Sequence, residues 1–100
     1  MTDVCQISEF AGMATQVDGA PLAAVPPLTE QFVLITGVST QSAAFSVNTR
    51  VLRLHTTNVC CLAFGPNPTA VSPTNFIMAT NQTEYVRVTP GDKVAVIVFV

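Results

Sequence analysis

Apolar and polar residues alternate along much of this 100-residue chain, with the period of a β-strand and not that of a helix. In residues 51–56, Leu52 and Leu54 fall on one face of the predicted strand, while Arg53 and His55 share the other. Turn-forming residues recur about every ten positions, as in all-β domains. The other predicted strands are residues 6–10, 13–17, 32–36, 43–47, 59–64, 75–79, 84–88 and 94–100.

The last predicted strand, residues 94–100, is apolar at every position and follows the turn Pro90-Gly91-Asp92-Lys93. A half-buried strand alternates apolar and polar residues, whereas a continuous apolar run is typical of a strand covered on both faces. The run is far too short to span a membrane. We therefore expect this strand, including Ile97, to be buried by its own chain or by neighbouring copies.

This pattern predicts an all-β fold, either an antiparallel β-sandwich or a small jelly-roll-like barrel. The prolines between residues 20 and 28 disfavour regular strand pairing there, because proline lacks the N–H that a ladder needs. We therefore expect residues 1–29 to form an N-terminal arm with short strands and an extended proline-rich segment. Residues 30–100 are expected to form the sandwich domain.

The arm carries apolar side chains at Leu22, Val25 and Leu28, which must lie against other protein. They pack either on the arm's own domain or on a neighbouring subunit, and the sequence leaves both possibilities open. A second candidate surface is the outer face of the predicted strands, which carries Arg53, His55, Tyr85 and Arg87. This face is either plain solvent-exposed surface or a protein contact, in which Tyr and Arg are enriched.

Charged residues make up only 10% of the chain, against about 25% in ordinary soluble domains, whereas hydrophobic residues make up 49%. This composition fits a hydroxyl-rich β surface or a surface largely covered in an assembly, where charge is depleted. The net charge is -2, and the four basic residues are scattered. The sequence therefore lacks the cluster of basic residues that is typical of nucleic-acid-binding proteins. The N-terminus lacks signal-peptide features, so no membrane association is expected and the cysteines should be reduced.

The residues offer little for catalysis or metal binding. His55 is the only histidine, and the nearest sulfur ligands, Cys60 and Cys61, are adjacent in sequence. Adjacent strand residues face opposite ways, so they do not converge on one zinc ion. A Cys–His nucleophile pair would need an exposed thiol, and residues 59–64 are too apolar for that. We expect no catalytic residue, metal or cofactor, and the chain is predicted not to be an enzyme.

A further set of residues carries a resemblance. Residues 51–56 contain an arginine-bearing strand, residues 61–70 lead from a strand into a Phe-Gly-Pro loop, and residues 83–85 precede the Pro-Gly-Asp-Lys turn and valine-rich strand of residues 90–97. This arrangement resembles a group of small virion structural proteins of tailed bacteriophages. The resemblance covers about the last half of the chain.

The resemblance implies a capsid decoration (cement) protein that binds and stabilises the assembled head. Its partners would be the major capsid protein and copies of itself, with a homotrimer favoured. It would be made in the bacterial cytoplasm and reside on the capsid surface. Two alternatives remain: a tail or head-to-tail connector component, and a ligand-binding β module such as a sugar binder. Most of the six phenylalanines sit in core-pattern positions, which weighs against a sugar binder.

Overall fold

The structure is a computed structural model that describes residues 3–11, 13–15, 21–23, 28–72 and 76–99. These residues form ten β-strands and no helix. The strands are β1 (Val4–Phe10), β2 (Met13–Thr15), β3 (Pro21–Ala23), β4 (Thr29–Leu34), β5 (Thr40–Gln41), β6 (Val51–Thr56), β7 (Cys60–Gly65), β8 (Phe76–Met78), β9 (Thr83–Arg87) and β10 (Lys93–Val98).

Eight of the strands form two four-stranded antiparallel sheets. The front sheet has the order β4-β1-β6-β9, and the back sheet has the order β5-β10-β7-β8. The remaining two strands, β2 and β3, pair with each other. The predicted all-β sandwich is therefore confirmed.

The pairing is nested in the manner of a jelly roll. β7 pairs with β8, β6 with β9, and β5 with β10. Each strand after β7 therefore lies beside a strand that precedes it, in reverse order along the chain. The next strand outward, β4, pairs with β1. The N-terminal strand thus occupies the position that a strand following β10 would take in this nested order.

The core lies between the inner faces of the two sheets. Alternate residues of β1 and β6 point inward from the front sheet, and alternate residues of β7 and β10 point inward from the back sheet. As predicted, the leucines of β6, Val86 of β9 and Val88 just after β9 face this core. The buried cluster comprises Cys5, Ile7, Val33, Ile35, Phe45, Leu52, Leu54, Cys60, Leu62, Met78, Val94 and Val96.

The last strand, β10, is covered on both faces over its first half. Val94 and Val96 face the core, while Ala95 faces the opposite way and is also fully buried. A loop covers that second face. It begins after β7, and its members Asn67 and Pro68 accept hydrogen bonds from the Gln41 amide of β5 at 2.9 and 2.8 Å. Because β10 lies between β7 and β5, this loop passes over β10.

The second half of β10 differs from the expectation. Ile97 was expected to be buried but is only half-buried, and Phe99 is exposed. Ile97 points away from the core, opposite Cys61 of β7. Gln41, whose amide donates the hydrogen bonds to the covering loop, lies opposite Ala95 in the first half of β10, whereas Ile97 lies beyond the last residue pair that β10 forms with β5.

The expected boundary between arm and sandwich also needs correction. β1 was assigned to an arm of residues 1–29, but it lies between β4 and β6 at the centre of the front sheet. Its inward residues Cys5 and Ile7 are fully buried. A second correction concerns the proline-rich stretch, because β3 pairs regularly with β2. Pro21 is the first residue of β3, a position at which a strand tolerates proline.

The predicted strand at residues 43–47 is absent as a regular strand. Ser42 continues β5 beside β10: its N–H donates to the Val94 carbonyl at 2.8 Å, while its hydroxyl accepts from the Val94 N–H at 3.0 Å. A side-chain oxygen thereby replaces the backbone carbonyl of a ladder, and the regular register ends. Phe45 then donates its N–H to the Asp92 carbonyl at 2.8 Å, so the segment stays extended without forming a strand.

A buried carboxylate ties this irregular segment to the front sheet. Glu9 projects inward from β1, and one of its oxygens accepts from the Ser46 N–H at 2.9 Å and the Thr49 hydroxyl at 2.7 Å. Its other oxygen accepts from the Gln31 amide at 3.1 Å. Gln31 also accepts from the Ala43 N–H at 2.9 Å, which bridges the two sheets at their edges. Among the described residues, no buried side-chain nitrogen or oxygen lacks a hydrogen-bond partner.

Candidate interaction surface

The side chains of His55, Cys60 and Cys61 lie on three different faces of the two sheets. His55 projects from the outer face of the front sheet, where its Nδ1 lies 2.7 Å from the Thr83 hydroxyl. Cys60 belongs to the core, and Cys61 is buried on the other face of the back sheet. Within the described part of the chain, no three His, Cys, Asp or Glu side chains cluster as a metal site would require.

The environment of Cys5 and Cys60 suppresses the reactivity of their thiols. Burial raises the pKa of the Cys5 thiol from its ordinary value of 9.0 to about 12, and the nearby Cys60 adds to the shift. Burial, followed by the neighbouring Cys61, likewise raises the pKa of Cys60 to about 12. A thiolate is the form that attacks substrates and binds metals, and both groups are neutral thiols at neutral pH.

The polar candidates meet on the outer face of the front sheet. The pairing of β6 with β9 places Arg53 opposite Tyr85 and His55 opposite Thr83. Arg87 lies on the same face, two residues beyond Tyr85, opposite Val51. Alternation in two paired strands therefore produces the predicted polar face, and its role in binding stays a prediction.

Several of these side chains have unused hydrogen-bonding capacity. Tyr85 and Arg87 are exposed and Arg53 is half-buried. In the part of the chain that the structure describes, none of the three side chains takes part in a hydrogen bond or an ion pair. Guanidinium groups bind carboxylates with paired hydrogen bonds, and Tyr and Arg often dominate the energetics of interfaces. This face can therefore form directional contacts with a partner without first breaking internal ones.

The same sheet face becomes apolar toward its other edge. Phe32 and Leu34 of β4 lie opposite Gln6 and Val4 of β1, and their side chains are 65% and 48% exposed. No sequence pattern indicated this exposure, because the run Phe32-Val33-Leu34-Ile35 is typical of a strand covered on both faces. In the structure, only Val33 and Ile35 are covered.

The arm candidates have different outcomes. Leu28 is exposed just before β4, and its N–H donates to the Glu9 carbonyl at 2.7 Å. Leu22 lies in β3. Val25 lies outside the described residues. The structure therefore places Leu28, exposed, next to the edge strand that also carries Phe32 and Leu34.

The phenylalanines differ from the expectation that most of them lie in the core. Phe10 and Phe45 are buried, while the other four are exposed: Phe32, Phe64, Phe76 and Phe99. Phe64 and Phe76 contact each other edge to face, with ring centroids 6.4 Å apart. The absence of exposed aromatic rings therefore no longer argues against a ligand-binding role.

An open pocket of about 410 Å³ lies beside one of these rings. Phe45, Phe64 and Val88 form its apolar lining, and Arg87, Thr89 and Asp92 form its polar lining. It is located where the end of β7 meets the turn between β9 and β10. Its size and mixed lining are within the range of small-molecule sites.

Comparison of the chain with known protein families, with curated proteins and with solved structures found no match. Among the described residues, none forms a helix with the length and hydrophobicity of a membrane span.

Proposed function

We propose that this protein is a non-enzymatic structural component of a virus particle, and specifically a decoration protein on the head of a tailed bacteriophage. The observation that carries the proposal is the outer face of the front sheet. It combines unpaired arginine and tyrosine side chains with exposed apolar ones on one four-stranded sheet. The sequence resemblance to small phage virion proteins supports the choice of particle.

Such a protein would stabilise the head by binding its assembled form. A ligand that binds one state and not another shifts the equilibrium toward the bound state by mass action. The partners are the major capsid protein and further copies of this chain, and the location is the capsid surface. The low charge of the chain favours close repeated packing, because interface cores are depleted of charge.

Occupancy of assembled heads tests this proposal. Heads that lack the protein are incubated with purified wild-type chain or with the double variant Arg53→Ala/Tyr85→Ala, and bound protein is quantified after sedimentation. We expect the double variant to bind at least about tenfold more weakly, as interface hot spots do. The matched control is Lys93→Ala on the back sheet, which should bind as the wild type does. Failure of the wild-type chain to bind heads would contradict the proposal.

Copy number separates a decoration protein from a tail or connector component. Quantification of the protein in purified particles should give a number comparable with that of the major capsid protein. A handful of copies per particle would favour the tail or connector. The expected oligomeric state is a homotrimer, and sedimentation showing a stable monomer at micromolar concentration would contradict it.

The pocket beside Phe64 supports a second candidate, a ligand-binding β module. An aromatic ring offers an apolar face, and Arg87 and Asp92 offer a hydrogen-bond donor and an acceptor, a combination that suits a sugar. Binding of a monosaccharide panel is measured by ligand-observed NMR. A signal that disappears in Arg87→Ala and in Asp92→Asn would favour this candidate, and no signal with any sugar would reject it.

A further inference from the structure

The edge of the front sheet presents an unpaired strand. Among the described strands, β1 is the one that pairs with β4, and none pairs with its other side. Ile35 donates its N–H to the Asp3 carbonyl at 3.0 Å, and Thr57 donates to the Val4 carbonyl at 3.1 Å. The backbone N–H and C=O groups of odd-numbered residues of β1 therefore form hydrogen bonds with β4, and those of even-numbered residues form hydrogen bonds with β6. In β4, the amide groups of Glu30, Phe32 and Leu34 consequently point away from the sheet.

Natural proteins protect such edges with lysine, proline, bulges or very short strands. β4 has none of these protections. Its register with β1 is continuous over six residue pairs, and its only charged side chain, Glu30, accepts a hydrogen bond from the Ser8 hydroxyl at 2.9 Å. The back sheet differs, since its edge strands β5 and β8 have only two and three residues. β9, the other front edge, carries charged side chains at Glu84 and Arg87.

We propose that β4 is an association edge at which two copies of this chain pair antiparallel and join their front sheets into one eight-stranded sheet. The strand is self-complementary in this arrangement. A twofold axis at Phe32 sets Phe32 opposite its own copy and Glu30 opposite Leu34 of the second copy, so all the outward amides of both strands find partners. The exposed rings and leucines then lie side by side across the axis, which buries them.

A second copy is favoured over an unrelated strand for two reasons. The hydrogen-bonding groups match without any shift of register, and a central Phe–Phe pair removes the most exposed aromatic ring in the described chain from water. The inference rests on the proposed role in assembly and specifies one contact of that assembly. It joins copies in pairs, so it is separate from the threefold association expected above.

The test is the oligomeric state of three proteins by analytical ultracentrifugation over a wide concentration range: the wild type, Phe32→Lys and Ile77→Lys. Ile77 is the matched control, because it is a half-exposed apolar residue on the short edge strand β8. We expect the wild type and Ile77→Lys to associate in pairs, as monomers or as trimers, in a concentration-dependent way. Phe32→Lys should weaken dimerisation by at least about tenfold, because the twofold axis would place two ammonium groups together.

Hydrogen exchange on the wild type gives a readout that does not depend on any variant folding. At high protein concentration, the amides of Phe32 and Leu34 should exchange more slowly than at low concentration, whereas that of Val33, already bonded to β1, should not change. A wild-type monomer at all concentrations, or a dimer or trimer insensitive to Phe32→Lys, would overturn the inference. Equal disruption by both variants would also overturn it, because β4 would then not be the specific edge. Each of these results leaves the head-binding experiment able to decide the proposed function.

Discussion

At the scale of single residues, the least expected feature is the buried carboxylate of Glu9. It lies on the inward face of β1 beyond Ile7, at a position where alternation predicts an apolar side chain. Three hydrogen bonds from Ser46, Thr49 and Gln31 offset the loss of its hydration. No pattern in the sequence pointed to this network, because its members lie up to 40 residues apart.

Replacement of Glu9 by alanine should destabilise the protein by about 3 kcal/mol or more, since buried donors lose their acceptor and a cavity is left. The free energy of unfolding from urea titration measures the effect. The control is Glu30→Ala, which removes one hydrogen bond at an exposed site and should cost less than about 1 kcal/mol. Equal losses in the two variants would show that the network contributes little.

The cysteines give a prediction about pH. Cys5 and Cys60 have a pKa raised from 9.0 to about 12 in the folded state, so folding favours their neutral form. Their contribution to stability is therefore fully present below pH 9.0 and is lost as the pH rises toward about 12. Urea titrations at increasing alkaline pH should show a declining free energy of unfolding. The variant Cys5→Ala/Cys60→Ala should show a shallower decline, and an identical slope would contradict the assignment.

At the scale of elements, β10 shows how far a hydrophobic run can be interpreted. The sequence predicted a strand covered on both faces, and this is confirmed for Val94, Ala95 and Val96. The cover on the second face is the loop that follows β7, not a neighbouring subunit. Beyond it, Ile97 and Phe99 are partly exposed, although the sequence pattern does not change there.

Aspartate substitutions separate the two halves of this strand. Val96→Asp should abolish folding, because an unpaired buried charge costs several kcal/mol, comparable with the whole stability of about 5–15 kcal/mol. Ile97→Asp should leave a folded protein destabilised by about 1–3 kcal/mol, since the carboxylate can reach water. Circular dichroism and thermal unfolding distinguish the two. A folded Val96→Asp protein would show that β10 is placed wrongly.

The sequence predicted where extended segments occur better than it predicted which of them form regular hydrogen-bonded ladders. The alternation of apolar and polar residues in β6 and β9 predicted where these strands lie and which face each side chain occupies. This was possible because side chains on one face of a strand recur at every second residue. The stretch at residues 43–47 has the same apolar composition but no ladder, owing to the side-chain hydrogen bond of Ser42. Whether a serine hydroxyl or a carbonyl faces a neighbouring N–H depends on contacts from a distant strand.

At the scale of the whole molecule, β1 completes the jelly roll from the opposite end of the chain. It contacts both β4 and β6 and fills the centre of the front sheet. Without it, β4 has no partner in the sheet and the inward residues Val33, Leu52 and Leu54 lose their neighbour. The N-terminal segment is therefore part of the folding unit and not an accessory.

Deletion of residues 1–11 should consequently prevent folding. The truncated chain is expected to give the far-ultraviolet circular dichroism spectrum of an unfolded protein. Addition of a synthetic peptide of residues 3–11 should restore the β-sheet signal, because strand pairing and burial of Ile7 can occur between separate chains. The same peptide with Ile7→Asp is the matched control and should fail. A stable sheet in the truncated protein alone would contradict this account.

The sequence by itself determined the all-β class, the approximate position of most of the strands and the facing of β6 and β9, because these follow from the two-residue period of extended backbone. It also determined the polar face of Arg53, His55, Tyr85 and Arg87. Only the tertiary structure decided that β1 enters the front sheet, that a loop covers β10, and that Phe32 remains exposed. Those outcomes depend on which distant segments become neighbours, and local hydrophobic pattern does not encode the partner of a strand.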